Sequence, residues 1–278
     1  MLNMLHADFY RLTKGKSIYI ALAIIFILIG VSVGLASPGT IGMTFYENSE
    51  ETSNAPTGLT DEEIAQASLR QYRKMILQQK DYKLDLDMIS HNINLYYVFL
   101  IVVVFSLTSD FSQKCIKNTL SSAISRRKYY LSKAGFVLLT GSLLFFLSNY
   151  ATYFINLIVN KNISSSFSEI TKVSFYQWPI ILLLLSLLIC LSFILKKKAL
   201  FNAITIPLIL LSQTFISILQ SIFSIKKYVE KYELECALYN LAQSPSTKYI
   251  LEITIFNLIG IVIFHFIGYA SFRNTEIK

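Results

Sequence analysis

Residues that could carry out catalysis are sparse in this sequence. The three cysteines, Cys115, Cys190 and Cys236, lie far apart and lack the CxxC or Cys/His spacing of a metal or redox site. The HExxH motif of zinc enzymes and the G-x-x-x-x-G-K-[ST] phosphate loop do not occur. We therefore expect no catalytic residue, no metal site and no cofactor bound by this chain.

Polar side chains do occur within the apolar runs of the chain. Because such groups are costly at membrane depth unless they are paired, most of them are expected to join helices through hydrogen bonds. Asn156, Gln213 and Gln220 are the leading candidates for lining a substrate pathway. No Asp or Glu lies in position to pair with His265, which argues against a proton-coupled carrier. The full set is Asn149, Asn156, Asn202, Gln213, Gln220, Asn257 and His265.

The most informative segment is residues 110–133, which read DFSQKCIKNTLSSAISRRKYYLSK. Ile116, Leu120 and Ile124 recur every four residues with basic residues beside them, which predicts a short amphipathic helix. Such a helix could bind a soluble partner and transmit a push to the attached spans. The alternative is a basic loop that only fixes the topology of the chain.

Composition identifies the elements that must position these residues. The chain has 278 residues, of which 54% are hydrophobic and 15% are charged, with a mean hydropathy of +0.52. Six apolar runs approach the ~20 residues that cross a bilayer, which predicts an all-α integral membrane protein with one transmembrane domain. The six predicted spans cover residues 18–35, 90–108, 134–159, 176–195, 199–223 and 249–272.

The distribution of basic residues predicts that both termini are cytoplasmic. Lys and Arg are retained on the cytoplasmic side during insertion. With both ends inside, the inner segments hold 14 of the 25 Lys and Arg but only three of the 17 acids. These cations lie between spans rather than on one polar face, so the net charge of +8 does not indicate a nucleic-acid partner. The inner segments are 1–17, 109–133, 196–198 and 273–278.

The N-terminal segment 1–17 is expected to form an amphipathic helix in the membrane interface. Leu2, Leu5, Phe9 and Leu12 share one face, whereas Asp8, Arg11 and Lys14 lie mostly on other faces. A tail that merely retains charge is the alternative. A cleaved signal peptide over residues 1–37 is disfavoured because the apolar run is longer than a typical signal sequence.

Two polar segments are predicted to lie outside. Segment 36–89 contains a capping-box pattern at Thr60 and Glu63, which predicts a helix from there to about Leu86. Packing over the bundle is favoured over substrate contact for this helix. Segment 224–248 is expected to form one or two short helices, and whether they act as a lid is left open.

Helix packing is predicted at three positions within the spans. Gly30 and Gly34 form a GxxxG step, which allows close approach either within the chain or at a dimer seam. Pro207 is expected to kink the fifth span because it removes an intrahelical hydrogen bond.

Segment 110–133 resembles the loop after the second span of ABC-2 type transporter permeases, including exporters of bacteriocins, lantibiotics and other antimicrobial peptides. The register holds without a gap, although Lys114-Cys115 stands where that family usually has Gly-Thr. The resemblance extends to the number of spans and to the amphipathic start. The matching positions are Asp110, Phe111, Lys117, Asn118, Ile124, Ser125, Arg126 and Lys133.

The resemblance implies that this loop is a coupling helix seated on a separate ATPase subunit, which would bind the ATP and Mg. It also implies a second permease chain and an amphipathic or hydrophobic export substrate such as an antimicrobial peptide. The low Cys content and the frequent Lys, Ile, Asn and Phe indicate a bacterial plasma membrane. The alternatives are a non-transporting immunity or sensor subunit that binds a toxin, and a secondary transporter. The residues expected to contact the ATPase are Asp110, Phe111, Ile116, Lys117, Asn118, Leu120, Ile124, Arg126 and Arg127.

Overall fold

The computed structural model of the chain describes residues 2–15, 17–36, 83–112, 116, 124–159, 164–223, 231–243 and 245–274. Every regular element in these ranges is helical, which confirms the predicted all-α class for the described residues. The α-helices are α1 (Leu2–Lys14), α2 (Ser17–Ala36), α3 (Leu84–Ser90), α4 (Leu95–Val103), α5 (Ser109–Ser112), α6 (Arg126–Val159), α7 (Phe167–Leu195), α8 (Lys198–Phe223), α9 (Leu234–Ala242) and α10 (Thr247–Arg273).

Four helical stretches of this membrane protein are long and apolar enough to cross a bilayer. They are Asn92–Phe111, α6, α7 and α10. Helices α1 and α2 meet at a bend of 63° and make a fifth if they are taken as one span. Helix α8 has a shorter apolar part, Lys198–Ile209, in the described residues. Six spans therefore remain a prediction.

Two helices begin earlier than the predicted spans. Helix α6 starts at Arg126 rather than at residue 134, so the last third of the predicted loop 109–133 is helical. Helix α7 starts at Phe167 rather than at residue 176, because a capping box fixes its start. Ser166 Oγ accepts from the Glu169 backbone N–H at 3.2 Å, and Glu169 Oε2 accepts from the Ser166 N–H at 2.7 Å. An apolar run in the sequence marks the membrane-embedded part of a helix, whereas a capping residue marks where the helix begins.

The stretch predicted as the second span, residues 90–108, is not one regular helix. Helix α3 ends at Ser90, a 3₁₀ turn covers Asn92–Asn94, and α4 then continues to Val103. A π-helical turn, Val104–Thr108, separates α4 from α5, and the Ser109 N–H reaches the Val104 carbonyl five residues back. Such single turns mark places where a helix redirects its side chains.

Helix α7 lies at the centre of the bundle, in contact with α6, α8, α9 and α10. Two glycines permit close approach to it. A Cβ added at Gly141 of α6 would lie 2.6 Å from Leu185 Cδ1, and one added at Gly260 of α10 would lie 2.5 Å from Leu183 Cδ1. The other side of α10 exposes a continuous series of large apolar side chains, as expected for a helix facing lipid.

The predicted GxxxG step does not mediate packing among the described residues at its first position. Gly30 is exposed on α2, and a Cβ added there meets no atom within 4 Å. The surroundings of Gly34 lie outside the described part. Pro207 lies inside α8, and Pro179 inside α7 is a second intrahelical proline, which sequence analysis overlooked.

The two polar segments are described only in part. The helix predicted from Thr60 to about Leu86 lies outside the described residues up to position 82. Its last predicted residues fall in α3. In segment 224–248, the predicted short helix is α9, whose N-cap Glu233 accepts from the Cys236 N–H at 3.1 Å.

Candidate functional site

Five charged and polar side chains from three helices meet at one end of the bundle. We refer to Asp8 and Arg11 of α1, Asp110 of α5, and Tyr129 and Lys133 of α6 as the charge cluster. Asp110 and Lys133 are each only 3% exposed, and Asp8 is 6% exposed. Burial at this level requires ionised groups to be paired, since an unpaired buried charge is strongly destabilising.

Lys133 is the hub of the charge cluster. Its Nζ lies 2.6 Å from Asp8 Oδ1 and 2.6 Å from Asp110 Oδ2. The same ammonium donates to the Ser106 carbonyl, inside the π turn, at 3.3 Å. An ammonium has three protons, so these three acceptors satisfy it completely. Lys133 therefore connects α1, the π turn and α5 to α6.

Asp110 is the second hub. Its Oδ1 accepts from Arg11 at 2.6 Å, and its Oδ2 accepts from the Tyr129 hydroxyl at 3.0 Å in addition to Lys133. Two cations and two carboxylates make the cluster neutral as a whole. Tyr129 and Lys133 are one helical turn apart on α6 and so present both donors from the same face.

The charge cluster adds Asp8 to the side of α1 that is buried in the protein. The prediction placed Leu2, Leu5, Phe9 and Leu12 on one face and Asp8 mostly on another. In the structure Leu12 and Asp8 are buried, whereas Phe9 is 49% exposed. The physical reason is that Lys133 and Asp8 neutralise each other inside the protein, while an aromatic side chain is stable at a membrane surface.

One oxygen of the charge cluster is left over. Asp8 Oδ2 is buried and has no hydrogen-bond partner among the described residues. Burial raises the pKa of the Asp8 carboxyl, and the neighbouring Lys133 ammonium opposes that rise. A cavity of about 110 Å³ adjoins this carboxyl, and its lining includes Arg11, Leu12 and Phe105.

Several of the residues expected to contact an ATPase pack within the protein at the ends of segment 113–125. The Phe111 ring packs edge-to-face on Phe193 at 5.6 Å and on Phe272 at 6.4 Å. Ile116 is buried, and Ile124 is partly buried against the core. These apolar side chains fix where the segment leaves and re-enters the bundle.

The remaining predicted contact residues fall into two groups. Arg126 donates to the Arg273 carbonyl and, at 3.4 Å, to the Phe272 carbonyl, which satisfies acceptors at the end of α10. Arg127 is exposed on α6. Lys117, Asn118 and Leu120 lie outside the described residues.

A second polar group lies at the other end of α7, and we refer to Asn92, Asn149, Ser174 and Gln177 as the amide cluster. Asn92 Nδ2 donates to Asn149 Oδ1 at 2.9 Å and to Gln177 Oε1 at 3.0 Å. Asn149 Nδ2 donates to Ser174 Oγ at 2.9 Å. All four residues are buried. The chain of bonds links the 3₁₀ turn, α6 and α7.

Of the predicted pathway residues, Asn156 is the one whose side chain lies within the described part. Asn156 is buried and its Nδ2 donates to Ser164 Oγ at 3.1 Å, which ties the end of α6 to the start of α7. Gln213 and Gln220 lie on α8, but their side chains lie outside the described part. Sequence analysis missed Gln177 and Asn92, although amides beside an apolar run are the signal that could have identified them.

His265 behaves as the helix-packing residue that the sequence predicted. Its Nδ1 lies 2.9 Å from the Tyr130 hydroxyl, and its Nε2 lies 3.3 Å from Ser186 Oγ. These contacts join α10 to α6 and α7. Gly268 sits one turn further along α10, where an added Cβ would lie 3.2 Å from Cys190 Cα.

The described polar side chains form connections between helices. Within the described ranges, no three His, Cys, Asp or Glu side chains are grouped so that they could hold a metal ion. The charge cluster can fasten α1 to both ends of segment 113–125 and can hold these elements in a fixed relation. Comparison of the chain with protein-family models, with curated proteins and with solved structures finds no match.

Proposed function

We propose that this chain is the membrane-spanning subunit of an ABC exporter in a bacterial plasma membrane. ATP and Mg would be bound by a separate ATPase subunit, and a second permease chain would complete the transport pathway. The substrate would be amphipathic or hydrophobic, with antimicrobial peptides as the leading class. The proposal draws on the sequence resemblance of segment 110–133 and on the structure at the two ends of that segment.

The observation that carries the proposal is the joining of those two ends. Asp110 lies just before segment 113–125, and Lys133 lies just after it. Their contact at 2.6 Å fastens α5 to α6, so the described residues on either side of the segment are joined. A force applied to the segment would pass at once to the stretch Asn92–Phe111 and to α6. A coupling element must pass force to the spans on both sides of it. A loop that only fixes topology does not need its two ends to be joined.

The proposed topology has six spans with both termini in the cytoplasm. It places the charge cluster on the cytoplasmic side, together with the exposed Arg127 and Lys128 at the start of α6. Single cysteines at Lys128 and at Tyr239 of α9, in a chain freed of its own cysteines, test this arrangement. An impermeant thiol reagent added to intact cells should label position 239 and not position 128. The opposite result would remove the basis of the proposal.

Copurification with a candidate ATPase subunit tests the coupling role. The variant replaces Lys117, Asn118 and Leu120 with Ala, and we expect it to lose most of the bound ATPase. The matched control replaces Lys226, Lys227 and Tyr228 with Ala in the segment assigned to the outside, and it should retain the ATPase. Both variants should show unchanged thermal unfolding, since neither alters the charge cluster. Equal retention by both would show that the segment is not the docking site.

Transport assays separate this proposal from its alternatives. In inverted vesicles that contain both subunits, a labelled cationic antimicrobial peptide should accumulate only when ATP is hydrolysed. Accumulation driven by an ion gradient without the ATPase would identify a secondary transporter instead. Protection of cells by this chain alone, without peptide movement, would identify an immunity subunit.

A further inference from the structure

Gln177 of α7 is the only residue of the amide cluster that bonds to two other helices through their backbones. Its Nε2 donates to the Ile89 carbonyl at the end of α3 at 3.1 Å and to the Leu238 carbonyl of α9 at 3.0 Å. Its Oε1 accepts from Asn92 at 3.0 Å. Both amide protons and the amide oxygen of this fully buried side chain are therefore used.

The Ile89 carbonyl needs such a donor. The last carbonyls of an α-helix have no partner within the helix, and α3 ends at Ser90, where the chain turns into the 3₁₀ segment. A buried carbonyl without a partner costs about 1–3 kcal/mol. Gln177 thus supplies a hydrogen-bond donor to the carbonyl at the end of α3, where the chain passes into the span Asn92–Phe111.

Helix α3 is held at its other end as well. Asp85 is fully buried and accepts from the Ser165 N–H at 3.0 Å and from Ser165 Oγ at 2.8 Å. Lys83 Nζ donates to the Ser164 carbonyl at 3.1 Å. Both partners lie directly before α7. The start and the end of α3 are therefore both attached to α7 or to the residues that lead into it.

Helix α9 is also held in place by α7. It packs on α3 and α7, and its Leu238 and Leu241 side chains are fully buried. Its exposed edge carries Glu235, whose Oε1 lies 3.8 Å from His91 Nδ1. Solvent weakens that outer contact, so the hydrogen bond from Gln177 is the stronger polar link.

We propose that Gln177 is a positioning residue that locks α3 and α9 to α7, so that these three helices move as one unit and α9 does not open as a lid. The amide is suited to this because it donates two hydrogen bonds in fixed directions to two different backbones. A side chain of the same shape that only accepts cannot replace it.

Spin-label distances test the proposal on the chain alone in lipid nanodiscs. The labels are placed at Lys172→Cys on α7 and Tyr239→Cys on α9, both exposed positions, after the native cysteines are replaced. The unaltered Gln177 should give a single narrow distance. Gln177→Glu keeps the shape but loses at least one donated bond, and it should broaden or shift the distribution, as should Gln177→Leu.

Asn257→Leu is the matched control. Asn257 is also a buried amide, on α10, but among the described residues its Nδ2 donates only to the Ile253 carbonyl of its own helix, at 2.8 Å. This variant should leave the distance narrow. Two populated distances with Gln177 intact, or a narrow distance in Gln177→Glu, would overturn the proposal.

A cross-link extends the test to function, and this step rests on the proposed exporter role. A short bifunctional thiol reagent joining positions 172 and 239 should leave ATP-driven export unchanged, because the two helices already move together. Loss of export on cross-linking would contradict the locked unit. Failure of ATPase binding would instead contradict the exporter proposal, and it would leave the distance measurement unaffected.

Discussion

Lys133 Nζ lies 2.6 Å from Asp8 Oδ1, although the two residues are separated by more than 120 positions in the chain. The contact brings the N-terminal helix against the helix that follows segment 113–125. Both groups are almost completely buried, so the bond is protected from water and from screening by salt.

Removing the Lys133 ammonium should be strongly destabilising. Lys133→Met preserves the length of the side chain but leaves Asp8 and Asp110 buried without their shared partner. Breaking a buried ion pair on one side costs about 3–5 kcal/mol. Thermal or denaturant unfolding in detergent should show a loss of this size.

Lys128→Met is the control for that change. Lys128 lies on the same helix but is exposed, and its substitution should alter stability by no more than about 0.5 kcal/mol. If both variants unfolded alike, the charge cluster would not hold the fold together.

The stability of the chain should depend on pH through Asp8. Because burial raises the pKa of this carboxyl, the folded state holds its proton more tightly than the unfolded state does. The stabilisation from this proton is complete below the unfolded pKa of about 3.8 and is lost as the pH rises through the folded pKa. Above that point the contribution should be constant.

Asp8→Asn should remove this part of the pH dependence. The difference in unfolding free energy between the natural chain and Asp8→Asn, plotted against pH, isolates the Asp8 contribution from those of other carboxyls. A difference that rises with pH over that interval would mean that pairing with Lys133 outweighs the effect of burial on the pKa.

Two glycines of α6 should respond oppositely to alanine. At Gly141 the new Cβ would lie 2.6 Å from Leu185 Cδ1, and such overpacking costs about 1–3 kcal/mol. At Gly135 the new Cβ meets no atom within 4 Å, so the helix should gain about 0.5–1 kcal/mol from the better helix former. Unfolding midpoints of the two variants, measured side by side, check the contrast. Equal shifts would contradict the close packing of α6 on α7.

The turn between α7 and α8 contains a strained lysine. Lys196 has φ of 55°, in the left-handed region, which costs a residue with a Cβ about 1–2 kcal/mol. Lys196→Gly should therefore raise the unfolding temperature. Lys197→Gly removes the same charge at a residue with negative φ and should lower it. A loss of stability in Lys196→Gly would show that the side chain contributes more than the strain costs.

The sequence predicted the helical class because long apolar runs have few other stable arrangements in a bilayer. It did not predict the helix ends, which are set by local caps such as Ser166 and Glu169. It also placed Asp8 mostly apart from the apolar residues of α1, since helical periodicity treats every charge as outward-facing, whereas the structure buries Asp8 together with Leu12. Asp8 is buried because it pairs with Lys133. Pairing between residues so far apart in the chain is not visible in one sequence.

The candidate site was predicted in part for a similar reason. Asp110 and Lys133 were identified at the two ends of the segment, but their contact and the roles of Arg11 and Tyr129 were not. Gln177 was overlooked because it lies at the very start of an apolar run and has no motif around it. Its importance arises from its bonds to the backbone carbonyls of Ile89 and Leu238, and a sequence pattern does not show which carbonyls a side chain reaches.

The length of α6 has a consequence for the choice of membrane. Its 34 residues span about 51 Å at about 1.5 Å per residue, which exceeds the ~30 Å hydrocarbon thickness of a typical bilayer. Lys133 sits about 10 Å from the charged start of this helix. A thicker bilayer would bring hydrocarbon to the depth of Lys133. The Lys133 ammonium, however, already has three hydrogen-bond acceptors inside the protein. The fold should therefore tolerate host membranes of different thickness without exposing that cation to lipid.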